Sequence, residues 1–170
     1  INKTGDFHKQ EIKFDIKIAV IIPAYNESQS IGFVIDSIPK SVDRIVVVDN
    51  ASTDNTSKIA EKKGAEVVTE NRKGYGYACL KGLEHLAQNN PDIVVFLDGD
   101  YSDYAEDLDQ IVSPIIREEV VFCIGARDKK LREKGSLTYQ QIFGNKLACF
   151  LMKWLYQGKF SDLGPFLSLI

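Results

Sequence analysis

Three cysteines, two histidines, one tryptophan and one methionine in 170 residues leave few groups for thiol, imidazole or soft-metal chemistry. Cys79, Cys123 and Cys149 are odd in number, widely spaced and set in apolar runs. That pattern reads as reduced core thiols in a cytosolic protein and argues against a disulfide framework. No CxxC pair exists, and with only His8 and His85 a structural zinc site is not expected. No window approaches the roughly 20 apolar residues of a membrane helix. Residues 1–17 mix charged and apolar side chains and lack the apolar centre of a signal peptide. Positive charge is not in excess either: 21 Lys and Arg face 24 Asp and Glu, a formal net of −3. Without a basic field, nucleic acid is not an expected partner. The remainder is ordinary globular composition, 44% hydrophobic and 26% charged, in a length that suits one domain.

Four short apolar runs set the framework: residues 16–22 (IKIAVII), 44–48 (RIVVV), 93–97 (IVVFL) and 120–124 (VVFCI). Apolar without alternation and rich in β-branched residues, they suit strands buried on both faces of a parallel sheet. Helical patterns lie between them. Ile31, Val34, Ile35 and Ile38 recur at helical spacing, with Ser28 or Asn26 as cap and Pro39 closing the run. Residues 54–63 form a second helix ended by Gly64, a natural C′ residue. Residues 76–89 form a third, and Leu108, Ile111, Val112 and Ile115 mark a fourth in which Pro114 introduces a kink. A short extra strand fits residues 66–69. The expected fold is an open, mostly parallel, Rossmann-like α/β sheet with helices on both faces. Beyond Ala126 the character changes to a charged loop, residues 127–136 (RDKKLREKGS), and an apolar-rich helix over residues 138–156.

In such a sheet, ligands bind outside the carboxyl ends of the strands. Three runs end there in acids: residues 23–27 (PAYNE), 49–54 (DNASTD) and 98–100 (DGD). Like charges gathered in one cleft are costly unless a cation joins them. Asp98 and Asp100, flanking Gly99, can present oxygens to one hard divalent ion that also takes diphosphate oxygens. A plain turn explains DGD alone, but not beside two other acidic strand ends. Thr53 and Asp54 read as helix-cap residues. Asp49, at the end of a strand of valines, is placed to hydrogen-bond a base or ribose, and Tyr25 to stack on a base. The glycines of residues 74–78 (GYGYA) fail the dinucleotide spacing, but beside Arg72 and Lys73 they favour a phosphate or sugar nearby. His85 reads as a helix-surface residue with no role.

Together these segments, IAVIIPAYNE, VVVDNASTDNT, GYGYACLKGL and VVFLDGD, resemble the inverting family 2 glycosyltransferases of GT-A fold. The later segment from GARD to DLGPF is similar to the branch containing dolichyl- and polyprenyl-phosphate sugar synthases. The resemblance implies a single GT-A catalytic domain of hexosyltransferase type over residues 1–170, cut short on its acceptor side. It implies a UDP-, GDP- or dTDP-sugar donor contacting Pro23, Tyr25, Glu27 and Asp49, with Mg²⁺ or Mn²⁺ held through Asp98 and Asp100 against its diphosphate. It further implies that Arg127 meets an acceptor phosphate. Ser102 and Leu167 stand where those relatives carry Gln and Arg, and Gln140 and Gln141 where a second arginine is expected.

The expected acceptor is a polyprenyl phosphate, because a loop with five cations beside an apolar helix suits an anionic head and an apolar tail at a cytoplasmic membrane surface. An anionic acceptor needs no general base. A saccharide or other hydroxyl acceptor needs one, and Asp162 is then the candidate. Two rivals come from other classes: a phosphatase in which Asp98 is the phosphorylated nucleophile, and a nucleotide-binding relative without turnover.

Overall fold

The computed structural model describes residues 16–125 and the backbone of residues 168–169. Strands β1 (Ile18–Ala24), β2 (Arg44–Asp49), β3 (Glu66–Thr69) and β4 (Ile93–Phe96) form a parallel sheet in the order β3-β2-β1-β4. A two-residue strand, β5 (Ser168–Leu169), runs antiparallel along β4. The helices are α1 (Ile31–Ser37), α2 (Thr56–Lys62), α3 (Tyr75–Leu86) and α4 (Leu108–Ile116), the last entered through a short 3₁₀ turn at Ala105–Asp107.

Alternation along each strand divides the apolar runs between two cores. Ile18, Val20, Ile22, Val47 and Val95 face Ile31, Val34 and Ile35 of α1, Ala60 of α2, and Leu108 and Val112 of α4. Ala19, Ile21, Val46, Val48 and Phe96 face Ala78 and Leu86 of α3. Chain direction explains the sidedness. From β1 to β3 each crossover moves one way across the sheet, whereas β4 returns to the far side of β1. With right-handed crossovers kept throughout, α3 must cover the opposite face. The reversal opens a crevice between the carboxyl ends of β1 and β4, the usual ligand position in this architecture.

Helix ends follow local chemistry. Gly64 has φ +87°, its N–H donates to the Glu61 carbonyl, and Ala65 N–H donates to that of Ala60, closing α2 with a Schellman turn. The cap of α1 is Ser30, not Ser28 or Asn26, and its hydroxyl makes no capping bond. α3 begins at Tyr75 and ends at Leu86, three residues short of expectation. α4 carries Pro114 in its last turn and ends in a second Schellman turn, with Glu118 at φ +59°.

The strand expected at residues 120–124 does not form. Val121 is 91% exposed, and the place beside Val95 and Phe96 is taken by β5. The short strand at residues 66–69 does form, as β3. His85 also differs from expectation. It lies 2.8 Å from Glu66 Oε2, and Arg44 clasps the same carboxylate with two 2.7 Å bonds, tying α3 to β2 and β3. Cys79 and Cys123 are free thiols, as expected, though half-buried. Cys149 and the helix expected over residues 138–156 lie outside the described residues.

These ion pairs predict an acid-labile fold. The Arg44 hydrogen bonds hold Glu66 at about 2 instead of 4.5, and those from Arg72 hold Glu70 at about 2. Both carboxylates bind protons more tightly when unfolded, so their stabilisation is complete above about pH 4.5 and disappears as pH falls towards about 2. The urea midpoint should drop across that window, and Glu66→Gln should flatten part of the drop. A wild-type midpoint constant down to about pH 2.5 contradicts the assignment.

Candidate functional site

The strand register sets the site. Ala24 pairs with Asp49, and Asp49 with Thr69, so three strands end level. On the other side Ile21 pairs with Phe96, and continuing that register sets Asp98 beside Pro23. The loops after β1 and β2 are joined by a network of hydrogen bonds. Asn26 N–H donates to Ser52 Oγ (3.0 Å), Glu27 N–H to Thr56 Oγ1 (2.8 Å), Ser28 N–H to Asp54 Oδ2 (3.1 Å) and Thr53 N–H to Asn26 Oδ1 (2.8 Å). Hydrogen bonds from Thr56, then Ser28, hold Asp54 at about 2. Asn26 and Ala51 keep left-handed φ values of 58° and 61°, a cost tolerated because this network over-determines the loops.

A second tie runs from Asn50. Its amide donates to the carbonyls of Glu70 (2.9 Å) and Arg72 (2.7 Å), and its Oδ1 accepts Gly74 N–H (2.8 Å). The segment leading into α3 is thereby held at the mouth of the crevice. Ser30 performs a similar task for the acidic turn: its hydroxyl lies 2.8 Å from the Gly99 carbonyl and 2.9 Å from Glu27 Oε2.

Between these ties lies an open cavity of about 220 Å³, lined by residues that include Pro23, Tyr25, Glu27, Asn50, Tyr75, Asp98 and Asp100. Five of the expected site residues, Pro23, Tyr25, Glu27, Asp98 and Asp100, therefore share one wall system. Asp49 is buried and is not part of that lining. Its Oδ1 accepts Ser52 N–H (2.9 Å) and its Oδ2 the Ser57 hydroxyl. Burial raises its pKa, but these bonds outweigh burial and leave it lowered. Arg127 and Asp162 lie outside the described residues. Asn50 and Tyr75 were not singled out from sequence. For Asn50 the available signal was its position immediately after a buried strand.

The Tyr75 hydroxyl is raised above its ordinary range by burial and then by the charge of nearby Asp98. Asp100 accepts Ser102 N–H at 2.9 Å. The donor set at Asp98 and Asp100 is all carboxylate oxygen, which fits Mg²⁺ or Mn²⁺. Among the described residues no three His, Cys, Asp or Glu side chains form a metal cage. Two protein carboxylates suit an ion that completes its shell with water and substrate phosphate.

The glycosyl transferase family 2 domain matches residues 19–169. The chain belongs to this family. Among family 2 relatives, it is 29% identical over 150 residues to the UDP-N-acetylglucosamine–dolichyl-phosphate N-acetylglucosaminyltransferase of Methanococcus voltae, covering 77% of this chain and 60% of that one. It is 30% identical over 147 residues to a glycosyltransferase of Haloferax volcanii, covering 86% and 47%. Its fold superposes with a TM-score of 0.72, at 27% identity, on glucosyl-3-phosphoglycerate synthase of Mycobacterium tuberculosis, solved with Mn²⁺, UDP and glucosyl-3-phosphoglycerate. That match covers 91% of this chain and 56% of the synthase. The chain thus spans about half to three-fifths of these relatives. Family membership replaces the phosphatase reading of Asp98. No helix among the described residues is long and apolar enough to cross a membrane.

Proposed function

We propose that this chain forms the donor-binding part of a metal-dependent inverting glycosyltransferase that moves a sugar from a nucleoside-diphosphate donor to a polyprenyl-type lipid phosphate. One observation carries the donor half: Pro23, Tyr25, Glu27, Asp98 and Asp100 line a single cavity at the switch point of a family 2 fold. Tyr25 supplies a ring for the base. Asp49 lies outside that lining and, through Ser52 and Ser57, holds the loop after β2 that borders it. Asp98 and Asp100 hold Mg²⁺ or Mn²⁺, which when bound neutralises charge developing on the departing diphosphate. The Ser102 N–H orients the Asp100 carboxylate.

The acceptor oxygen attacks the anomeric carbon from the face opposite the diphosphate, inverting it. A phosphate oxygen is already anionic, so Arg127 then serves to bind it and no base is required. The Methanococcus relative, named for a dolichyl-phosphate acceptor, supports this choice. The mycobacterial synthase, solved with phosphoglyceric acid in one complex, favours a second reading with a hydroxyl acceptor, in which Asp162 is the base. Transfer to a lipid phosphate takes place at a cytoplasmic membrane surface.

Donor screening tests the first half. The unfolding temperature should rise with one of UDP, GDP or dTDP, and rise clearly more when Mn²⁺ is present. Stabilisation follows the ligand concentration relative to its dissociation constant, about 2.7 kcal/mol at a hundredfold excess. No shift with any of the three, with or without metal, overturns the proposal. Transfer assays with polyprenyl phosphate and with free saccharides separate the acceptors.

A further inference from the structure

The cavity wall carries three carboxylates, Glu27, Asp98 and Asp100, yet the proposed donor is itself an anion. Of the two cations beside the cavity on the segment after β3, Arg72 is committed elsewhere. Its Nε and guanidinium bind both oxygens of the buried Glu70 (3.0 and 2.7 Å), and it stacks 4.6 Å above the Tyr77 ring. Lys73 is held differently. Its Nζ lies 3.3 Å from the Tyr25 hydroxyl and 5.0 Å from the Tyr25 ring centroid, at the hydroxyl end of the ring, with no carboxylate within ion-pair distance among the described residues.

The backbone leaves Lys73 little choice of location. Asn50 grips the carbonyl before it and the N–H after it, and Asn50 and Tyr25 both line the cavity. The lysine therefore begins at one side of the cleft and ends at the Tyr25 hydroxyl at another. A cation–π contact at an exposed site is weak, roughly 0.5–1 kcal/mol, whereas a charge-assisted bond to phosphate is stronger.

We propose that Lys73 is a donor-binding residue: it rests on Tyr25 in the free protein and transfers its ammonium to a diphosphate oxygen of the nucleotide when the donor enters. This rests on the donor reading above.

Calorimetric titration of the whole protein with Mn²⁺ and the preferred nucleoside diphosphate, and separately with the matching nucleoside, tests it. Lys73→Gln should weaken the diphosphate about tenfold, leave the nucleoside within about twofold, and flatten the salt dependence of diphosphate binding. Lys73→Arg should restore most of the affinity. Equal losses for nucleoside and diphosphate would mean that Lys73 only positions Tyr25, and an unchanged diphosphate affinity would remove it from the site; either overturns the proposal. Failure of the wild-type protein to bind any of UDP, GDP or dTDP overturns the donor reading as well, a result distinct from both.

Discussion

Asp100→Asn should abolish most of the gain that Mn²⁺ brings to nucleoside-diphosphate binding, with a loss of about 100-fold, or roughly 2.7 kcal/mol. Asp98→Asn should do the same. Asparagine keeps the size of the side chain and, at position 100, a carbonyl oxygen that can still accept Ser102 N–H. What it loses is the anionic oxygen that a hard divalent cation requires. Three carboxylates line this cavity, so removing one negative charge relieves repulsion, and the metal-free fold should lose little stability. The measurement is a pair of titrations, diphosphate with and without Mn²⁺, beside a thermal melt of each variant. Affinity for the Mn²⁺-nucleotide that stays at the wild-type value in both variants rules out a metal site at Asp98 and Asp100. Loss of metal-free nucleoside binding to the same degree would point instead to a collapsed cavity.

The largest effect on stability is expected at Gly82. Ala78, Gly82 and Leu86 form the buried stripe of α3, and this helix approaches β1 closely at its glycine. A β-carbon at position 82 would stand 2.6 Å from Ile21 Cγ2 and 3.0 Å from its Cδ1. Ile21 is fully buried, so its side chain has little room to yield. Alanine gains up to about 1 kcal/mol of helix propensity over glycine. Overpacking costs about 1–3 kcal/mol, and more for a larger side chain. Gly82→Ala should therefore lower the unfolding temperature by a few degrees, roughly 2–8 °C, and Gly82→Val by more. Ile21→Ala alone should cost about 2–5 kcal/mol, but distinctly less when Gly82→Ala is already present, because the new methyl fills part of the space. Additive losses in that double-mutant cycle contradict the close approach. Donor binding should fall only as far as the fold does, since neither side chain lines the cavity.

The order of elements and the acidic strand ends were legible in the chain. Runs such as RIVVV lack alternation because both faces of the strand are covered, and the polar residues that follow them mark the carboxyl edge where a parallel sheet binds ligands. The glycine at position 64 and the helical spacing of Ile31, Val34 and Ile35 set helix limits to within a few residues. The place of Asp98 and Asp100 on the cavity wall was legible for the same reason, since both stand in a three-residue turn directly after an apolar run. Tertiary structure alone decided the rest. Whether VVFCI pairs with β4 depends on what else competes for that edge, and Ser168–Leu169 occupies it. Whether Asp49 opens into the cavity or bonds Ser52 and Ser57 depends on how its loop folds back over the strand end. The grip of Asn50 on residues 70–74, and the contact of Lys73 with the Tyr25 hydroxyl, join positions 20 to 48 residues apart. Local propensity and periodicity act over one or two turns of chain. Pairings across the strand ends are chosen by competition among distant polar groups for a limited set of partners, and only the folded arrangement resolves that competition.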